Sequence, residues 1–131
     1  MEAPSTQRIL VVDDHIEFAE NIAEILDGAG YFTAVAESAE AVLACVPAMR
    51  FDLLITDYKL PGLTGAELVR ALAQQGSNAP SVVMSAYTDA HTVAIARTAG
   101  ACFVIAKPVD IAALLAALHD ILRTAPDVAG C

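Results

Sequence analysis

Asp13, Asp14, Asp57, Ser85 and Lys107 are the residues whose types and positions could do chemistry together. Each stands where a short apolar segment ends: the two aspartates close RILVVDD, Asp57 closes FDLLITD, Ser85 lies at the end of SVVMSA, and Lys107 follows CFVIA. Three carboxylates gathered in one place repel one another and resist ionisation unless a cation is present. Hard oxygen donors with open positions suit Mg2+, with Mn2+ as the alternative, and not zinc. Lys107 would add a positive point charge and Ser85 a hydroxyl donor. A carboxylate flanked by a dication, an ammonium and a hydroxyl suits an anion with several oxygens. A phosphoryl group in transfer needs electrostatic support of this kind. Asp57 can itself be the nucleophile, becoming an acyl phosphate.

The elements around these residues say how they would meet. RILVV, YFTAVA, FDLLITD, SVVMSA and CFVIA read as strands, the first, third and fourth as continuous apolar runs. Between them lie helical patterns. Ile22, Ile25, Leu26 and Ala29 share one face, and that helix should stop near Gly28 or Gly30. Ser38 should cap a helix running to about Pro47. The next leads through Gly65, carries Leu68 and Leu72, and ends near Gly76. The fourth runs from about Asp89 to Gly100. Asp110 should cap the last, with Ile111, Leu114, Leu115, Leu118, Ile121 and Leu122 as its apolar stripe. Strands joined by crossover helices are parallel, and a parallel sheet needs helices on both faces. The predicted fold is therefore α/β, a doubly wound five-stranded parallel sheet of (βα)5 form. In such sheets the site lies at the carboxyl ends of the strands, beside a topological switch point. Asp57 is then delivered to a shared cleft and not stranded in the middle of a sheet. Taken singly, each residue also has an ordinary structural role: an N-cap or turn for an aspartate, a turn hydroxyl for Ser85, a solvated surface position for Lys107. His15 reads as a solvated neighbour of the site.

Composition narrows the function classes. The chain has 131 residues, 56% of them hydrophobic, which suits one domain with a real core. Residues 1–7 read as a flexible start, 8–123 as the domain, and 124–131 as a flexible tail or the start of a linker. A net charge of −9 with no Lys/Arg cluster argues against direct nucleic-acid binding and makes a cation the more natural ligand. Cys45, Cys102 and Cys131 are odd in number and far apart, so free thiols in a reducing cytoplasm are expected. No stretch is apolar enough for long enough to span a bilayer, and MEAPSTQR lacks the apolar core of a signal peptide.

The ordered set VVDD (11–14), DYKLPGLTG (57–65), MSA (84–86) and KP (107–108) resembles the response-regulator receiver domains of two-component signalling. The resemblance covers residues 8 to about 123. It implies the strand order 2-1-3-4-5 and makes Asp57 the acceptor of a phosphoryl group from a phosphohistidine. The partner would be a sensor histidine kinase or a histidine phosphotransfer protein. The resemblance further implies that Asp14, Asp57 and the Lys59 backbone carbonyl bind Mg2+ directly, with Asp13 acting through a metal-bound water. Ser85, Lys107 and the Ala86 backbone N–H would hold phosphoryl oxygens, and the Lys107–Pro108 peptide would be cis. A signalling switch of this kind, a monomer or weak dimer, is not a turnover enzyme. Its response would appear on the face formed by the fourth helix, fifth strand and fifth helix.

One position departs from the receiver pattern. Receivers commonly carry Tyr or Phe three residues before the lysine, where this chain has Val104. Phe103 is adjacent, but alternation along a strand should point it to the other sheet face. In receivers the positions of Lys59 and Tyr87 line the path of water to the acyl phosphate, so the resemblance implies that both influence its lifetime. Three rival readings stand beside this one: an aspartyl-phosphoenzyme phosphatase similar to haloacid dehalogenases, an FMN carrier similar to flavodoxins, and a receiver used only for docking. The first wants its nucleophile on the first strand. The second wants a Ser/Thr/Gly-rich phosphate loop where this chain has the acidic DDHIEFAE. The intact acceptor constellation argues against the third.

Overall fold

The computed structural model describes residues 7–45 and 50–124. Strands β1 (Arg8–Val12), β2 (Phe32–Ala36), β3 (Leu53–Asp57), β4 (Ser81–Ser85) and β5 (Phe103–Ala106) alternate with five helices. These are α1 (Ile16–Gly28), α2 (Ala39–Cys45), α3 (Gly65–Gln74), α4 (Ala90–Ala99) and α5 (Ile111–Thr124). Every strand pair is parallel, and the sheet runs β2-β1-β3-β4-β5, the expected order. The order reverses between β1 and β3, so the switch point falls where those two strands end. Val12 is registered on Thr56, which brings Asp13 and Asp57 out at the same edge. Asp57 is registered on Met84 and Ser85 on Ala106, which carries Ser85 and Lys107 to that edge as well.

Alternation along the strands divides the core in two. Ile9, Val11, Leu53, Ile55, Val82, Met84 and Ile105 face α1 and α5. Leu10, Val12, Leu54 and Val83 face α2, α3 and α4. Strands β3 and β4 are buried at every position, which is why their sequences show no polar face. Full burial of each such aliphatic side chain contributes about 1.5–3 kcal/mol, so the inner strands anchor the sheet.

The helices follow their caps. Ser38 Oγ accepts the Ala41 N–H at 3.1 Å, Asp89 caps α4, and Asp110 Oδ1 accepts the Ala113 N–H at 3.2 Å. Gly100, at φ +119°, ends α4 in the left-handed conformation that side chains disfavour. The predicted end of α2 at Pro47 lies outside the described residues. The α1 stripe needs correction. Ile22 and Leu26 are buried, but Ile25 is 38% exposed and Ala29 lies past the helix; Ala19 completes the buried face. The core contacts α1 through i, i+3 and i+7, and Ile25 falls outside that strip. The thiol expectation holds for Cys45, which is free and exposed, and fails for Cys102, which is disulfide-bonded; Cys131 lies outside the described residues. Sequence spacing carries no information on which sulfurs a fold brings together.

Helix α3 begins with a reciprocal capping box. Thr64 Oγ1 accepts the Glu67 N–H at 3.1 Å and Glu67 Oε1 accepts the Thr64 N–H at 2.8 Å. Thr64→Ala removes one half of it and should cost about 1 kcal/mol. Urea denaturation should show this as a lower midpoint with an unchanged slope.

Candidate functional site

At the carboxyl edge of the sheet, three ionisable side chains form one bridged unit. Lys107 Nζ lies 3.0 Å from Asp13 Oδ2 and 3.2 Å from Asp57 Oδ1. Asp13 is fully buried and Asp57 is 8% exposed, so these charges sit largely out of water. Parallel pairing makes this possible, because β1 and β3 end side by side while Lys107 reaches in from the end of β5. The Asp13 N–H donates to the Ala36 carbonyl at 3.1 Å, which fixes the backbone beneath its carboxylate. The His15 N–H donates to Asp13 Oδ1 at 2.9 Å, so Asp13 is held on both oxygens.

Burial first, and the Asp13 charge second, push the Asp57 carboxyl above the usual carboxylate range, with a smaller push from Asp14. Lys107 opposes them by its charge and hydrogen bond without cancelling them. For Lys107, burial by itself would favour the neutral amine. The hydrogen bond to Asp13 and the attraction of both carboxylates outweigh it, and its ammonium is held above the ordinary lysine value. The unit is short of positive charge at Asp57 and keeps Lys107 protonated.

The predicted metal donors are partly assembled. Asp13, Asp14 and His15 bring ligand atoms within 4.8 Å of one another. Asp14 and His15 are exposed, Asp13 is buried, and Asp57 faces Asp13 across the lysine. Lys59 is exposed in the loop after β3. Hard carboxylate oxygens beside a carboxyl that resists ionisation fit Mg2+ chemically. His15 is the solvated neighbour expected: its side chain is 83% exposed, with Nδ1 4.0 Å from Asp13 Oδ1.

Ser85 has the turn role here. Its hydroxyl donates to the Tyr87 carbonyl at 2.7 Å and accepts the Tyr87 N–H at 2.9 Å. It is 1% exposed at the end of β4, and Ala86 beside it is exposed. The Lys107 N–H donates to the Ser85 carbonyl at 2.9 Å, and the Lys107–Pro108 peptide is cis, as expected. Val104 packs toward the α2–α4 side of the sheet while Ile105 packs toward the α1/α5 side. Phe103 thus alternates away from Val104 and is 37% exposed.

Two contributors escaped the sequence reading. Gly65 is buried against the acceptor strand, and a Cβ there would overlap the Asp57 carbonyl oxygen. Gly65 was legible as a helix start but not as a close approach, since nothing local in the sequence encodes its neighbour. The second is Phe18, whose ring lies under the Lys107 ammonium with its centroid 4.7 Å from Nζ. An aromatic on a helix face reads as core, and only the assembled fold shows the cation on it.

An open sheet with a flavodoxin-like strand order and an acidic, lysine-bridged cleft at its switch point is the architecture of the receiver class. Residues 9–119 match the family described as response regulator receiver domain. A response regulator receiver protein of Anaeromyxobacter sp. is 39% identical over 109 residues, 83% of this chain and 46% of that protein. The DNA-binding response regulator MtrA of Mycobacterium tuberculosis is 37% identical over 121 residues, 92% of this chain and 53% of that protein. A CheY-like response regulator receiver domain protein from Methanospirillum hungatei superposes with a TM-score of 0.85 at 29% identity, covering 91% of this chain and 95% of that one. The chain belongs to the response regulator receiver domain family. It spans about half the length of the curated relatives it matches.

Proposed function

We propose that this domain is the phosphoacceptor of a two-component phosphorelay, with Asp57 taking the phosphoryl group in a Mg2+-dependent reaction. The observation that carries this is the buried Asp13–Lys107–Asp57 bridge at the switch point. The donor is the phosphohistidine of a sensor histidine kinase or of a histidine phosphotransfer protein. An Asp57 carboxylate oxygen attacks phosphorus, the P–N bond breaks, and the imidazole nitrogen leaves with its electron pair. Asp13, Asp14, Asp57 and the Lys59 carbonyl would hold Mg2+. When bound, the ion would supply positive charge that offsets the carboxylates and the phosphoryl group in transfer. Lys107 leaves its bridge for a phosphoryl oxygen. Ser85 releases the Tyr87 carbonyl and donates to the same group, and the exposed Ala86 N–H offers another donor.

The magnitudes suit a switch. Inverting a 1:99 equilibrium takes about 5.5 kcal/mol of differential interaction. Hydrogen bonds to charged groups contribute roughly 1.5–3 kcal/mol each, so two or three formed with the phosphoryl group are of that order. When Ser85 lets go of Tyr87, the segment leading into α4 is freed, and the α4-β5-α5 face responds. Val104 offers no large rotamer change, so backbone and loop movement carry the response. This is a switch and not a turnover enzyme, monomeric or weakly dimeric, acting in the cytoplasm. Among the described residues no helix is long and apolar enough to cross a membrane. The disulfide at Cys102 is the feature that runs against a reducing compartment. For residues 8–123 the acidic charge argues against direct DNA contact. DNA binding in MtrA belongs to a protein about twice as long.

Incubation with acetyl phosphate tests the reading. Intact mass should increase by one phosphoryl group with Mg2+ and stay unchanged with EDTA. A docking-only receiver, or a phosphatase that turns over phosphomonoesters without holding an adduct, would give no stable increase. The adduct should also be long-lived. Lys59 and Tyr87 are exposed at the mouth of the site, and neither offers a base to orient an attacking water. Tyr87→Ala or Lys59→Asn should shorten the half-life several-fold once the donor is removed. Decay at the parent rate in both variants would refute this.

A further inference from the structure

Two carboxylates and one uncharged aromatic ring lie against the Lys107 ammonium. Nζ lies 3.0 Å from Asp13 Oδ2, 3.2 Å from Asp57 Oδ1, and 4.7 Å from the centroid of the Phe18 ring. Phe18 is partly buried and packs against the α1/α5 side of the core, so its ring is held from behind by the fold. The Lys107 side chain is 22% exposed. The ammonium therefore sits between two carboxylates and an aromatic face whose quadrupole attracts cations. An aliphatic residue at position 18 would keep the packing and lose that attraction. A carboxylate there would draw the ammonium out of the cleft.

The carboxylates that Lys107 bridges are also the ones read above as Mg2+ donors. Resting on that reading, we infer that Phe18 is a positioning residue that holds Lys107 across Asp13 and Asp57 when no dication is bound, so that its ring sets how strongly the lysine competes with Mg2+. By linkage, an interaction made only in the metal-free arrangement lowers the apparent affinity for the metal by the same factor. A cation–π contact at a partly exposed site corresponds to a two- to five-fold change, equivalent to about 0.5–1 kcal/mol. The ring thus biases the empty cleft toward its internal cation and leaves Lys107 poised beside the acceptor oxygen.

The test uses the wild-type domain with Phe18→Leu and Phe18→Tyr. Mg2+ is titrated calorimetrically, and the Lys107 ε-methylene protons are followed by NMR without metal. Phe18→Leu should bind Mg2+ two- to five-fold more tightly than wild type, and Phe18→Tyr should restore wild-type affinity. In the metal-free wild type the ring current should shift the ε-methylene protons upfield; the shift should vanish in Phe18→Leu and return in Phe18→Tyr. A role in packing alone would lower the stability of Phe18→Leu without tightening its Mg2+ binding. Equal Mg2+ affinity in all three proteins would overturn the inference and leave the Mg2+ reading standing. Absence of Mg2+ binding in all three would overturn both. Unshifted lysine protons in the wild type would overturn the inference whatever the variants do.

Discussion

Asp57→Asn should take up no phosphoryl group from acetyl phosphate or from a phosphohistidine donor, with or without Mg2+. The amide is no nucleophile under these conditions, and the neighbouring carboxylates cannot stand in for it. Asp13 is buried with both oxygens engaged, by Lys107 on one side and the His15 N–H on the other. Asp14 is exposed and is not one of the carboxylates that Lys107 bridges. Intact-mass analysis that still shows a Mg2+-dependent adduct on the variant would place the acceptor elsewhere. The same substitution should stabilise the metal-free fold. The folded-state pKa of Asp57 is raised, chiefly by burial and then by Asp13. A raised carboxyl contributes stability that is complete below the unfolded value of 3.8 and is lost as pH climbs through the folded value. At neutral pH the ionised side chain therefore opposes folding, and asparagine relieves the opposition while giving up the contact with Lys107. Burial is the largest cause, so relief should win. In EDTA at pH 7 the melting temperature should rise relative to the parent. Near pH 3 the gain should vanish, and an equal gain at both pH values would exclude the electrostatic explanation.

Gly65→Ala should be among the most damaging single-methyl changes in this domain. The added Cβ would overlap the Asp57 carbonyl oxygen and come within 3.1 Å of both the Asp57 carbonyl carbon and the Tyr58 Cα. Those atoms are backbone at the end of β3, which is buried and paired with β1 and β4, so they cannot swing aside as a flexible side chain would. The Gly65 N–H also donates to the Tyr58 carbonyl at 2.7 Å, which ties the two segments together. Overpacking of this kind costs roughly 1–3 kcal/mol, and backbone neighbours put it at the upper end. Against that stands alanine's helix propensity, worth up to ~1 kcal/mol over glycine. The steric term is larger, and a net loss of ~2 kcal/mol or more is expected from urea denaturation. The carbonyl displaced belongs to the acceptor residue itself, so phosphorylation by acetyl phosphate should also slow under conditions where the variant is fully folded. A variant as stable and as reactive as the parent would show that the loop after β3 gives way more easily than its contacts imply.

Much of this protein was determined by the sequence alone, because the determining physics is local. Apolar runs at LLIT and VVMS can only be strands buried on both faces, and the helical stripes between them force crossover connections. The result is a doubly wound sheet with polar residues at its carboxyl edge. Ser38, Asp89 and Asp110 announced their helices, since a cap is a contact within three residues. The Thr64–Glu67 box is a contact of the same local kind. Tertiary structure decided what local pattern could not. It set which oxygen Lys107 touches, because a contact across 94 residues is fixed by sheet order and register. It decided that Ser85 turns toward Tyr87, that Ile25 faces solvent where a four-residue stripe put it in the core, and that Cys102 is bonded. It made Gly65 a steric necessity and Phe18 a seat for a cation. In each case a side chain's role depends on a partner distant in sequence, and only the packed sheet and helices bring that partner within reach.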